Sequence, residues 1–119
     1  MSRILCISRH SPYQTSSACD ALDAVLAAGA FDQEVSLLLM NEGVWQALKN
    51  QQASLLGRTG IGKKMAALPL FGVKQVYIHT PSLTQRGLTR DSLHLDAVQL
   101  VTNNEVRTLI QQHDQLLSF

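Results

Sequence analysis

At 119 residues the chain has the length of one compact domain, which excludes a catalytic domain joined to a separate binding domain. Hydrophobic residues make up 45% of it and charged residues 16%, enough apolar surface for a packed core and too little charge for a disordered chain. Ten Lys and Arg against nine Asp and Glu leave a scattered net charge of +1, which excludes an autonomous nucleic-acid binder and leaves any link to RNA to a partner.

In chain order, Ile4 to Ile7 is a short unbroken apolar run followed by Ser8, Arg9, His10, Ser11 and Pro12, which reads as a strand buried on both faces and then a turn. The run is too short for a signal peptide, and no later stretch is long enough to span a bilayer, so a soluble, cytoplasmic protein is expected. Ala18, Ala21, Leu22, Val25, Leu26 and Gly29 form the stripe of an amphipathic helix. It begins near Ser16 or Ser17, where Ser17-x-x-Asp20 has the form of a capping box.

Val35 to Met40 is a second strand; it leads through Asn41-Glu42-Gly43 to a short helix marked by Val44, Ala47 and Leu48. A second helical stretch resumes at Ile61, Met65 and Leu68 and stops at Pro69, which cannot continue a helix interior. Val73 to Ile78 reads as strand three and Ala97 to Val101 as strand four. Thr102 is the N-cap of a helix through Gln111 or Gln112, and Gln115 to Phe119 is a last strand. The segment from Ser82 to Asp96 has no clear period and is expected to be the mobile part of the chain. Short buried strands alternating with helices give a single α/β domain over residues 1–119, a three-layer arrangement with a mostly parallel sheet of about five strands and helices on both faces.

Four features bear on chemistry. Gly57-Arg58-Thr59-Gly60-Ile61-Gly62-Lys63-Lys64 matches the first seven positions of the phosphate-binding pattern G-x-x-x-x-G-K-[ST]. Lys64 replaces the magnesium-binding hydroxyl, however, and no strand precedes the loop, so a flexible helix entry is the expectation over nucleotide binding. Cys6 and Cys19 are the only cysteines, and neither belongs to a C-x-x-C pair, which excludes a disulfide framework or structural zinc and fits a reducing compartment.

Cys19 lies in the first turn of helix one, where the helix dipole favours a thiolate while Asp20 and Asp23 oppose it; Cys6 is core. His10 and His79 follow strands one and three at the edge where open parallel sheets bind ligands. No acidic partner stands in fixed relation to either, and no Ser or Cys is placed beside them as a nucleophile, so loop or interface hydrogen bonding is expected. His94 and His113 read as surface. Trp45, off the Val44, Ala47, Leu48 stripe, is either a protein contact or packing beneath a loop. The apolar group Leu68, Leu70 and Phe71 reads as core.

Five strings in order, Ala21-Leu22-Asp23-Ala24-Val25-Leu26-Ala27, Asn41-Glu42-Gly43-Val44-Trp45-Gln46, Leu68-Pro69-Leu70-Phe71-Gly72-Val73, Ser82-Leu83-Thr84-Gln85-Arg86-Gly87-Leu88 and the strand ending at Phe119, resemble the small sulfur-relay proteins of the DsrE/DsrF/DsrH group over the whole chain, most closely the TusC/DsrF subunit type. The long middle section from Gln51 to Val73 favours that type over DsrH. The resemblance implies a cytoplasmic subunit of a heterohexamer, two copies each of this chain and of TusD/DsrE-like and TusB/DsrH-like sisters, that passes persulfide sulfur between proteins. It serves either 2-thiolation of the tRNA wobble uridine or sulfur oxidation.

In the TusD/DsrE type a cysteine near the end of strand three carries the sulfur; the corresponding place here is at or near His79, which implies a non-catalytic, scaffolding subunit without cofactor, metal or direct nucleic-acid contact. Some DsrH-type sisters carry a cysteine where Cys19 stands, which keeps an active carrier role for Cys19 open. Trp45, His79, Ser82, Leu83 and Arg86 are the candidate interface residues, and the isolated chain is expected to self-associate.

Overall fold

The computed structural model describes residues 3–11, 17–30, 34–47, 67–73, 75–93 and 98–119, and of these the side chains of 18, 19, 30 and 71 are left aside. The strands are β1 (Arg3–Ser8), β2 (Glu34–Leu39), β3 (Gln75–His79), β4 (Val98–Val101) and β5 (Gln115–Ser118). Three α-helices accompany them: α1 (Ser17–Ala30), α2 (Thr80–Gln85) and α3 (Asn103–Gln112). Helices of the tighter 3₁₀ type cover Asn41–Ala47, Leu68–Phe71 and Arg90–Ser92.

The five strands form one sheet in the order β4-β3-β2-β1-β5, every neighbouring pair parallel. Side chains alternate along each strand, so the central strands of the sheet are buried on both faces. Ile4, Cys6, Val35, Leu37, Leu39, Val76, Ile78 and Val98 point to one face, where Ala21, Leu22 and Val25 of α1 cover them together with Val44, Ala47 and Leu83. Leu5, Leu38 and Val101 point to the other face, onto Val106 and Leu109 of α3. This is the three-layer α/β domain that the alternating runs imply.

Thr102 caps α3 as expected. Its hydroxyl accepts from the Glu105 amide (3.3 Å) while the Glu105 carboxylate accepts from the Thr102 amide (3.0 Å), a reciprocal capping box.

Several expectations are corrected. The stretch from Ser82 to Asp96, read as lacking a clear period, holds regular elements where it is described: α2 starts immediately after β3, and a 3₁₀ turn capped by Thr89 and Ser92 follows, while residues 94–96 lie outside the described residues. Pro81 stands in the first turn of α2, where its missing N–H has no intrahelical partner to lose. Pro69, read as a stop, is likewise inside the first turn of the 3₁₀ helix Leu68–Phe71. That helix buries Leu68 completely but leaves Leu70 86% exposed, so the core reading holds for Leu68 and fails for Leu70. Strand three runs one residue further than Ile78 and takes in His79. The string Gly57 to Lys64, the residues Ile61 and Met65 of the expected second helical stretch, and His94 lie outside the described residues.

Candidate functional site

Adjacent parallel strands whose outgoing connections leave to opposite faces open a crevice beyond their carboxyl ends, the place where open α/β sheets bind and react. Here that point lies between β3 and β4. After β3 the chain turns into α2, whose Leu83 packs with the α1 face; after β4 it turns into α3, which covers the opposite face. His79 ends β3 and lies in register with Val101, the last residue of β4.

The crevice is closed by a chain of hydrogen bonds. His79 Nδ1 lies 2.6 Å from Ser82 Oγ and His79 Nε2 lies 2.6 Å from Asn103 Oδ1, while the backbone N–H of Asn41 donates to Ser82 Oγ at 2.8 Å. A carboxamide oxygen only accepts, so Nε2 carries the proton and donates to Asn103. Nδ1 then accepts the Ser82 hydroxyl proton, and Ser82 accepts from Asn41. With the proton on Nε2, every donor in the chain points the same way. Ser82, one helical turn on from His79, is in direct contact with it, though not as a nucleophile. Its hydroxyl is buried and already accepts a backbone N–H, so it is a tie among the β2 exit, α2 and α3, lacking the exposure a nucleophile needs.

Asn41 can reach this position because it adopts a positive φ of 51°, a conformation asparagine tolerates better than most residues. The 3₁₀ helix that follows lies against the end of β1 at Gly43, where any β-carbon would overlap the Ser8 carbonyl. This close approach carries Gln46 to Ser8 Oγ (2.7 Å) and to the His10 carbonyl (3.2 Å).

Beside the crevice, Arg86 Nε and Nη2 both donate to Glu42 Oε1 (2.9 and 2.7 Å), and the Trp45 indole donates to Glu42 Oε2 (2.9 Å). The Arg86 guanidinium, foremost through its hydrogen bonds, holds the Glu42 carboxyl below the usual carboxylate range; slight burial opposes it, and Trp45 and the Arg86 charge reinforce it. Arg86 also donates to the Ser82 carbonyl (3.1 Å). Trp45 is half-buried and flanks this ion pair at the surface. Of the five interface candidates, Trp45 and Arg86 gather half-buried at the carboxyl end of the sheet. His79, Ser82 and Leu83 are 7%, 2% and 2% exposed, a correction: they support this surface from beneath.

The two cysteines differ in what can be said of them. Cys6 is fully buried in β1, and burial pushes its thiol up to about 12, so it is inert core as expected. Cys19 is the third residue of α1, and its side chain lies outside the described residues. His10 is exposed, and its carbonyl accepts from Gln46. His113, half-buried, donates from Nδ1 to the Leu109 carbonyl (2.6 Å) at the end of α3.

A cleft of about 220 Å³ opens between Tyr77, Gln99 and α3; its one carboxylate, Glu105, is engaged in the helix cap. Among the described residues no group of three His, Cys, Asp or Glu could hold a metal ion, and no helix is long and apolar enough to cross a membrane. Sequence reasoning missed Asn41, Glu42 and Asn103. The signal for Asn103 was available, since it directly follows the cap residue Thr102 and so must stand at the mouth of the last crossover.

Comparison with known proteins agrees with this architecture. The model of the DsrE/DsrF-like family matches residues 2–119. A protein of Pseudomonas aeruginosa named as a TusC homolog is 38% identical over 115 residues, covering 97% of this chain and 96% of its own. The intracellular sulfur oxidation protein DsrF of Allochromatium vinosum is 29% identical, covering 98% and 96%. The crystal structure of the E. coli ychN protein superposes over all of both chains with a TM-score of 0.86 at 23% identity, a likeness of fold. With a family model spanning all but its first residue and TusC and DsrF relatives along its full length, this chain belongs to the DsrE/DsrF-like family.

Proposed function

We propose that this chain is a non-catalytic, scaffolding subunit of a sulfur-relay sulfurtransferase complex in the cytoplasm, assembled with TusD/DsrE-like and TusB/DsrH-like sisters, and that the relay supplies persulfide sulfur for 2-thiolation of the tRNA wobble uridine. One observation carries the reading. At the switch-point edge, where the TusD/DsrE type has its sulfur-carrying cysteine, this chain has His79, and both nitrogens of that imidazole are bonded within the fold. A buried imidazole hydrogen-bonded at both nitrogens has no sulfur to load and no free lone pair to act as a base. What the edge offers instead is a surface of fixed shape, with Trp45 and the Glu42–Arg86 pair beside it.

The test reconstitutes the complex with its two sisters and measures thiolated tRNA. Omitting this chain abolishes transfer, while Cys6→Ser and Cys19→Ser, checked by gel filtration for assembly, leave it near wild type. A Cys19→Ser complex that assembles but fails to transfer, or a persulfide trapped on Cys19 by mass spectrometry, would make the chain a carrier and defeat the reading. A second pathway is favoured by the similarity to a protein named for intracellular sulfur oxidation. In a host where deletion spares tRNA thiolation but stops sulfur oxidation, the complex serves the latter.

A further inference from the structure

β5 is an edge strand, and its four residues are exposed along their whole length. Leu116 is 46% and Leu117 37% exposed. Leu117 is in register with Cys6, on the α1 face, and Leu116 with Leu5, on the α3 face. Gln115 to Ser118 carry no charge and no proline, the devices by which edge strands ordinarily repel another strand.

The hydrogen bonds of the neighbouring residues show which groups face outward. Phe119 donates its N–H to the Ile7 carbonyl (2.9 Å) and accepts from the Arg9 N–H (2.9 Å), so both its backbone groups point to β1. The pleat alternates along a strand, so Leu117 points the same way, and the N–H and C=O of Leu116 and Ser118 point away from the sheet.

We propose that β5 is the seam of a homodimer, in which a second copy of this chain adds its own β5 antiparallel about a twofold axis normal to the sheet. Such an axis must place one residue opposite its own copy. Centred on Leu117, it sets Leu116 against the second copy's Ser118 and Ser118 against the second copy's Leu116. All the outward groups then pair, in four N–H···O=C bonds. The two Leu117 side chains meet as a non-hydrogen-bonded pair, the arrangement that brings opposed side chains closest. Centred on Leu116, it would set Ser118 against Asp114, whose N–H is already bonded to the Arg3 carbonyl (2.8 Å) and whose carboxylate accepts the Arg3 N–H (2.8 Å). The Leu117 register is therefore the one that satisfies the edge.

The opposite edge does not compete as the occupant. At the start of β4 the Arg90 guanidinium takes the Val98 carbonyl (3.1 Å), so that edge is partly filled by its own chain. A β5-to-β4 contact would also be head to tail and would propagate, whereas β5 to β5 is self-complementary and closes at two copies. A seam this short belongs to the weak, concentration-dependent class of interfaces.

The experiment is sedimentation velocity on the intact chain over a wide concentration range, with amide hydrogen exchange at both ends of that range. The expected result is a monomer–dimer equilibrium in which the Leu116 and Ser118 amides slow markedly as dimer forms. Leu117→Lys, which opposes two ammonium groups at the axis, and Ser118→Pro, which deletes an outward N–H without touching the ladder to β1, both give monomer. Trp45→Ala, at the carboxyl end of the sheet and away from β5, still dimerises. A chain that stays monomeric throughout, a dimer that survives in both variants, or Leu116 and Ser118 amides that are protected only when a sister subunit is added would each overturn the proposal. It does not rest on the sulfur-relay reading: a monomeric Ser118→Pro chain that still supports transfer leaves that reading standing.

Discussion

The hydrogen-bond chain through His79 makes an unequal demand on its two ends, and the inequality can be measured. Ser82→Ala removes two bonds at once, the one it donates to His79 Nδ1 and the one it accepts from the Asn41 N–H. His79 is buried, so its Nδ1 lone pair is left without a donor and without ready access to water. Two bonds at about 1 kcal/mol each, with part of the desolvation penalty of a stranded buried acceptor, give a loss of roughly 2–3 kcal/mol.

Asn103→Ala removes one bond, and Asn103 is exposed, so the His79 Nε2–H turns to water instead. That loss is about 0.5–1 kcal/mol. At this chain length each kcal/mol lowers Tm by roughly 3–5 °C. Urea unfolding at pH 7.5, with the wild type and both variants on one m-value, resolves the difference. The double variant should cost less than the two losses added, because both partners act on one imidazole. Equal losses, or a larger loss for Asn103→Ala, would refute the unequal weight of the two bonds to His79.

Glu42 has its carboxyl pKa depressed in the folded chain, so its contribution is present above the unfolded pKa and is lost as pH falls through the folded one. Glu42→Gln should therefore cost up to about 1 kcal/mol near pH 7, as for a partly exposed ion pair, and progressively less as the wild-type carboxyl itself protonates; thermal melts across pH 2.5–7.5, roughly the carboxylate range, test the sign. Cys6, with its thiol pushed up to about 12 and its side chain fully buried, should resist iodoacetamide at neutral pH and be labelled only in denaturant, as mass spectrometry of the intact and unfolded chain will show. Gly43→Ala forces the Asn41–Ala47 helix off the Ser8 carbonyl and should destabilise by about 1–3 kcal/mol, read from circular dichroism melts; a loss within error would mean that the close approach is not needed.

The sequence by itself determined the features that depend on neighbours along the chain. β1 is legible as a short unbroken apolar run because it is buried on both faces, β2, β3 and β4 as short apolar-rich runs, and α1 shows its stripe because one side packs and the other does not. Thr102 and Glu105 announce the start of α3 because both halves of a capping box lie within one turn. Conversely, α2 is invisible in the sequence. Six residues, Thr80 to Gln85, are too few to display a helical period, and their helix exists because Leu83 has a core to enter and Pro81 presets the first turn.

The site was decided only by tertiary structure. Asn103 reaches His79 from 24 residues away and Asn41 reaches Ser82 from 41, and nothing local selects either; only the His79–Ser82 contact, three residues apart, is local. They meet because the order β4-β3-β2-β1-β5 places the ends of β2, β3 and β4 side by side and sends the helices after β3 and β4 to opposite faces. The same order leaves β5 on an open edge, although its composition, Gln-Leu-Leu-Ser, resembles a buried strand as closely as an exposed one. Exposure is a property of the neighbour a strand lacks, and the sheet alone assigns neighbours.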